Sequence, residues 1–109
     1  MENQIVITKY NNVDSVDSRL IANELGIQHK NLLELIKKYE SKIESRFGLL
    51  AFETLPRLEG QHGGGEVTIY HLNENQAIFT STLSRNTEKG VEVKLKIVEA
   101  FSNARAAFD

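Results

Sequence analysis

A group of polar and basic residues follows Gly26 on a predicted helix, which would present them outward. Its members are Gln28, His29, Lys30, Asn31, Glu34, Lys37 and Lys38. Glutamine and asparagine can pair with the edge of adenine, and lysine can contact guanine or phosphate. Side chains three to four residues apart project from the same side of a helix. The pattern therefore favours a helix that inserts its polar side into the major groove of DNA.

The basic positions continue beyond this helix as a stripe. Its members are Lys37, Lys38, Lys42 and Arg46, with Glu34, Glu40 and Glu44 interspersed. Such a stripe can neutralise backbone phosphates, although the glutamates make it weaker than the surface of a strongly basic DNA-binding protein. The alternative is that these lysines only form the solvated outer face of a helix.

Two short helices are predicted to position these side chains. A first helix begins near Asp17 or Ser18, and Gly26 ends it. The second runs from Gln28 to Tyr39. A helix-turn-helix needs a small residue where the helices meet and a residue that tolerates positive φ in the turn, and Ala22 and Gly26 meet these needs. A chance helical hairpin with a glycine turn is the alternative.

A β-hairpin is predicted after the helix pair. Leu50 to Leu58 has the character of an edge strand with Pro56 near its end, and Glu66 to Leu72 alternates as the second strand. A hairpin behind a helix-turn-helix is the wing of winged-helix proteins, and Arg57 is placed to touch DNA from it. Because Glu66 flanks the glycine-rich tip, a purely structural hairpin is equally consistent with the sequence.

Two helices are predicted to close the chain. Asn73 and Gln76 have the spacing of a capping box, and the break from Ser84 to Thr87 ends one helix and caps the next. The apolar face of the last helix is predicted from the helical spacing of Val91, Leu95, Val98, Phe101 and Phe108. The part of this face around Val98, Phe101 and Phe108 is the expected surface of a homodimer.

The start of the chain is predicted to form a strand at Ile5 to Ile7 and a turn at Asn11 and Asn12. Together these elements indicate an α+β, winged-helix-like helix-turn-helix fold with a central β-hairpin and two C-terminal helices. We expect one domain over residues 1–109.

Composition narrows the classes of function. The 109 residues are 40% hydrophobic, carry a net charge of −2 and include no cysteine. The near-neutral charge gives no global attraction to nucleic acid, so any basic surface must be local. The N-terminus lacks the blocks of a signal peptide, and the apolar runs are too short for a membrane span, which favours the cytoplasm. The three histidines are spaced too irregularly for a zinc site, so we expect no metal. The sequence also contains no motif that indicates a cofactor or catalysis.

Three segments together resemble the Rha family of phage regulatory proteins. The first combines Ser18-Arg19 and Ile21-Ala22 with His29, Leu32, Leu33 and Ile36; the second is Tyr70 to Ala77; the third is Leu83 to Thr87 followed by Val91, Val93, Lys94, Leu95 and Ala100-Phe101. The resemblance covers most of the chain. The glycine-rich tip at Gly63 to Gly65 departs from the family pattern.

This resemblance implies a phage or prophage regulator in the cytoplasm of a bacterial host, with DNA as its partner and a role in transcription. Relatives often continue into a second domain, so the chain is either a short member or the N-terminal part of a longer protein. A second class of function stays open at this point. In it, the domain binds a host or phage regulatory protein, as antirepressors do, and the exposed helix faces that protein instead of DNA.

Overall fold

A computed structural model describes residues 5–56, 65–85 and 87–107 of the chain. In this part of the chain, five helices stand around a four-stranded antiparallel sheet, which confirms the mixed α+β class. In chain order the elements are β1 (Thr8–Tyr10), β2 (Val13–Asp17), α1 (Ser18–Leu25), α2 (His29–Lys38), α3 (Glu40–Phe47), β3 (Ala51–Pro56), β4 (Glu66–Leu72), α4 (Glu74–Ser81) and α5 (Thr87–Ala106).

The first two strands form a tight hairpin around Asn11 and Asn12. Both asparagines have positive φ, at 51° and 65°, and Tyr10 pairs with Val13 across the turn. Asparagine tolerates this conformation better than most residues, and the predicted turn is confirmed. A strand precedes this turn, as predicted, but its pairing starts at Thr8 and not within the run Ile5 to Ile7, where Ile5 is buried against the core.

The helix pair has the predicted ends. The Asp17 side chain accepts a hydrogen bond from the Arg19 N–H at 2.8 Å and caps α1, which ends at Gly26. Apolar residues of both helices are buried, among them Ile21, Leu32 and Ile36. The second helix ends at Tyr39, with φ −107° and ψ 13°, as predicted, but the separate helix α3 that follows before β3 was not predicted.

The sheet has the order β1-β2-β4-β3, so β3 is an edge strand. Its register with β4 runs from Ala51 opposite His71 to Pro56 opposite Glu66. Because Pro56 is the last residue of an edge strand, its missing N–H costs no internal hydrogen bond of the sheet. Arg57 and the tip residues Gly63 and Gly64 of the predicted hairpin lie outside the described residues.

The buried face of α5 differs from the predicted one. Val93, Ile97 and Phe101 face the core, whereas Val91, Leu95 and Val98 are 56%, 59% and 43% exposed. Both sets recur at intervals of three or four residues, and packing against α4 and α1 decides which set is buried. Phe101 was therefore wrongly placed on the suspected dimer surface, and Phe108 lies outside the described residues. The described helices include none that is both long and apolar enough to cross a membrane.

Candidate nucleic-acid interface

The turn between α1 and α2 is built around Gly26. This residue has φ 73° and ψ 29°, the left-handed conformation that glycine adopts without steric cost. Ala22, which is buried, accepts a hydrogen bond from the Ile27 N–H at 3.1 Å across the turn. Three residues thus suffice to end α1 and begin α2, and the chain changes direction between them.

The structure brings most of the predicted site residues together on one exposed ridge. The N-cap residue Gln28 and the helical residues Lys30, Asn31, Glu34, Lys37 and Lys38 are all exposed. We call the five helical residues the α2 ridge. The Gln28 side chain makes no capping hydrogen bond to the helix, since only its carbonyl accepts, from the N–H groups of Asn31 and Leu32. The ridge is therefore accessible along the whole length of α2.

Two grooves flank the α2 ridge. The first, of about 720 Å³, separates α2 from the loop between α4 and α5, and Asn31, Lys38 and Arg85 line it. The second, of about 450 Å³, separates α2 from strand β4, and Lys30 and Lys37 line it together with Glu66 and Tyr70 among others. Glu34 borders both grooves and lies at the centre of the ridge.

His29 is only half-exposed and is tied to the fold. Its Nε2 shares a 2.8 Å hydrogen bond with Oγ of the buried Ser18, and the same oxygen accepts the Tyr70 N–H at 3.0 Å. Because the Ser18 oxygen already accepts one hydrogen bond, its own proton can go to a neutral imidazole. Burial lowers the pKa of His29 below its ordinary value of 6.5, which favours that neutral form. His29 thus positions the start of α2 against α1 and β4, and a contact with DNA stays a prediction.

This network predicts a stability that depends on pH. Since the pKa of His29 is lower in the folded chain than the ordinary 6.5, the unfolded chain takes up a proton more readily. The free energy of unfolding should therefore be largest above pH 6.5 and decrease as the pH falls below it. Replacing His29 with glutamine, whose amide reaches Ser18 but does not titrate, should remove this part of the pH dependence. Urea denaturation between pH 5 and 7.5 measures it.

The comparison of wild type with His29→Gln separates this effect from other titrations. Burial raises the pKa of Asp17, but hydrogen bonds from Arg19 act in the opposite direction, and the net pKa lies below 3.8. The stability that Asp17 contributes is therefore present between pH 5 and 7.5 and is lost only as the pH falls below 3.8. An identical pH dependence for the two proteins would show that protonation of His29 is not linked to folding.

Two further predicted residues, Lys42 and Arg46, lie away from the two grooves. Lys42 and Arg46 are exposed on α3, beyond the interruption at Tyr39, and neither lines a groove beside α2. Their contact with phosphate stays a prediction. Arg57 lies outside the described residues, so its predicted contact from the hairpin is not placed.

Sequence reasoning missed the residues that face α2 from distant parts of the chain. Arg85 was assigned only to a helix break, yet it is exposed and lines the groove opposite Asn31 and Lys38. Tyr70 was recognised only as part of a strand, yet it lines the second groove. A basic residue between two helices is a weak signal, because nothing local shows which other helix it faces.

Comparisons with known proteins agree with the sequence resemblance. The family model for phage regulatory protein Rha matches residues 16–106. No curated protein and no solved structure matches the chain.

Proposed function

Because this chain belongs to the family of the phage regulatory protein Rha, we propose that it regulates phage or prophage genes by binding DNA through the α2 ridge. In this proposal α1, the turn at Gly26 and α2 act as a helix-turn-helix, and the β3–β4 hairpin acts as the wing. The protein is a transcription regulator with no enzymatic activity and works in the cytoplasm of the host bacterium.

The observation that carries the proposal is the composition and exposure of the α2 ridge. Three lysines and an asparagine lie at helical spacing, directly after a sharp turn, and no other described element covers them. Asn31 is suited to pair with adenine, and Lys30 in the first turn of α2 is suited to guanine. Residues near the start of a recognition helix are those that reach base edges.

The central position of Glu34 fits the same arrangement. A carboxylate near phosphate is repelled, but one that faces base edges can accept a hydrogen bond from the amino group of cytosine. Glu34 lies between the two grooves, whereas Lys37 and Lys38 lie towards one groove each. The charges therefore suit a helix whose middle faces bases and whose sides face the two phosphate backbones.

The proposal is tested in two steps. The purified protein first selects duplexes from a randomised pool, and its affinity for the most enriched duplex is then measured by fluorescence polarisation. Binding should prefer the selected sequence over a scrambled one, and its affinity should fall as salt is raised, since lysines that contact phosphate release counterions. No enrichment, or binding that does not respond to salt, would contradict the proposal.

A second candidate function is the binding of a host or phage regulatory protein, in the manner of an antirepressor. The edge strand β3 favours it, because Phe52 is 59% exposed and the neighbouring Leu49 is 84% exposed. An extended segment of such a regulator could add to this edge. Retention of a host regulator after nuclease treatment, with loss of that regulator in Phe52→Asp, would support this candidate over DNA binding.

We also propose that DNA binding involves a homodimer. A single helix of ten residues buries too little surface for tight binding, and helix-turn-helix proteins commonly bind two half-sites about a two-fold axis. Val91, Leu95 and Val98 form an exposed aliphatic row on two turns of α5, a surface that a second copy would cover.

Light scattering checks this prediction. Wild type should approach twice the 12.3 kDa chain mass at high concentration, and Leu95→Lys should shift the equilibrium to monomer without loss of folding, because Leu95 is exposed. Glu92→Lys, an exposed change outside the row, is the matched control. A wild-type monomer at all concentrations would remove the dimer from the proposal.

A further inference from the structure

The groove between α2 and the α4–α5 loop has a different charge from the groove on the hairpin side. Among the described residues, Lys38 and Arg85 line the first groove, and Glu34 is the only acidic residue that does so. In the second, the cations Lys30 and Lys37 are balanced by Glu34 and Glu66. A phosphate backbone beside α2 is therefore attracted more strongly to the α4–α5 side.

The first turn of α5 places a further cation near the same groove. The Nζ atom of Lys89 lies 3.9 Å from the point where a Cβ on Gly26 would stand. Gly26 itself lines the groove. A Cβ at Gly26 would be in ordinary van der Waals contact with the Lys89 ammonium group, so Lys89 lies beside the turn. Lys38 comes from the end of α2, whereas Arg85 and Lys89 lie close together in sequence, in the α4–α5 loop and in the first turn of α5.

Cations beside α2 are what a helix in the major groove requires, because phosphates lie next to it. The major groove is about 12 Å wide, so a helix inserted in it has a phosphate backbone on each side. Contacts to those phosphates set the orientation of the helix without reading sequence. An arginine on a neighbouring element, across a groove from the recognition helix, is well suited to this task because its guanidinium can bind phosphate with two hydrogen bonds.

We infer that the α4–α5 loop is a second DNA-contacting element, in which Arg85 holds the phosphate backbone that borders the Lys38 side of α2. This inference rests on the proposed function, because it assumes that α2 binds DNA. It assigns Arg85 to orientation and affinity, and it leaves sequence discrimination to Lys30 and Asn31.

The test is a salt titration of the full chain on the selected duplex and on a scrambled duplex of equal length. Arg85→Ala should weaken binding to both duplexes by a similar factor and reduce the slope of log affinity against log salt by about 0.9, the value for one phosphate contact. Arg85→Lys should keep the slope. Asn31→Ala should instead reduce the preference for the selected duplex and leave the slope unchanged.

Lys9→Ala is the control for net charge. Lys9 lies on β1, is paired with Asp14 and lines neither groove beside α2, so its replacement removes the same charge without touching the interface. An unchanged slope in Arg85→Ala, with wild type binding DNA normally, would overturn the inference and leave the proposed function standing. Failure of wild type to bind any duplex would instead overturn the proposed function, and the inference with it.

Discussion

Replacing both Lys30 and Lys37 with glutamate should lower the affinity for the selected duplex by at least about thirtyfold, since each lost contact is worth about 1–3 kcal/mol. The two lysines lie two turns apart on the exposed side of α2 and both line the groove beside β4. The new carboxylates would join Glu34 and Glu66 in that groove and repel phosphate. Fluorescence polarisation at fixed salt measures the change.

The matched control reverses two charges elsewhere. The double variant Lys9→Glu and Lys94→Glu has the same net charge, but its changes lie on β1 and on the outer face of α5. If only net charge mattered, both double variants would bind DNA equally weakly. Equal affinities would therefore contradict a role for the α2 ridge, even if both proteins bound less DNA than wild type.

Replacing Gln76 with alanine should lower the free energy of unfolding by about 3 kcal/mol, because three hydrogen bonds worth about 1 kcal/mol each would be lost at once. The Gln76 amide donates to the carbonyls of Gly48 and Leu49, at 2.8 Å and 3.2 Å, and its oxygen accepts the Asn73 N–H at 2.9 Å. The Gln76 side chain itself is buried, with an exposed fraction of 1%.

The two side chains of the capping box, Asn73 and Gln76, connect α4 to the segment that leads from α3 to β3. The Asn73 amide donates to the Phe47 carbonyl at 3.0 Å, so the capping box of α4 holds the segment between α3 and β3 as well as its own helix. Asn75→Ala is the control, since Asn75 is exposed on the same turn and a surface change there should alter stability by less than about 0.5 kcal/mol. Urea denaturation curves of the two variants with the same midpoint would show that the buried amide contributes nothing.

The capping box of α4 was predictable in its local hydrogen bonds but not in its contacts with distant residues. The spacing of Asn73 and Gln76 predicted a helix start, and the structure has both reciprocal hydrogen bonds. The bonds from the same two amides to residues 47–49 could not be predicted, because they join segments more than 25 residues apart. A cap is a local arrangement, whereas its second role depends on which loop lies beside it.

The buried face of the last helix, α5, could not be predicted from the sequence pattern. Val91, Leu95 and Val98 recur at intervals of three or four residues, as do Val93, Ile97 and Phe101, and both sets are apolar. Periodicity alone therefore favours two faces, and the contacts of α5 with α4 and α1 decide between them. The sequence predicted the end of α2 at Tyr39, but it did not predict that a separate helix, α3, begins directly after this residue.

The features that the sequence determined by itself are those that depend on neighbours within one or two turns. They are the asparagine turn between β1 and β2, the ends of α1, the cap of α4 and the polar ridge that follows Gly26. Backbone sterics and short-range hydrogen bonds act over a few residues, so residue types and spacing are enough to predict them.

Tertiary structure alone decided which distant groups meet. Ser18 joins His29 to the backbone of Tyr70, 52 residues further along the chain, and Arg85 comes to face α2 across a groove. Such encounters depend on how all the elements share one core, since burying the apolar faces together leaves each polar group only the neighbours that the packing supplies.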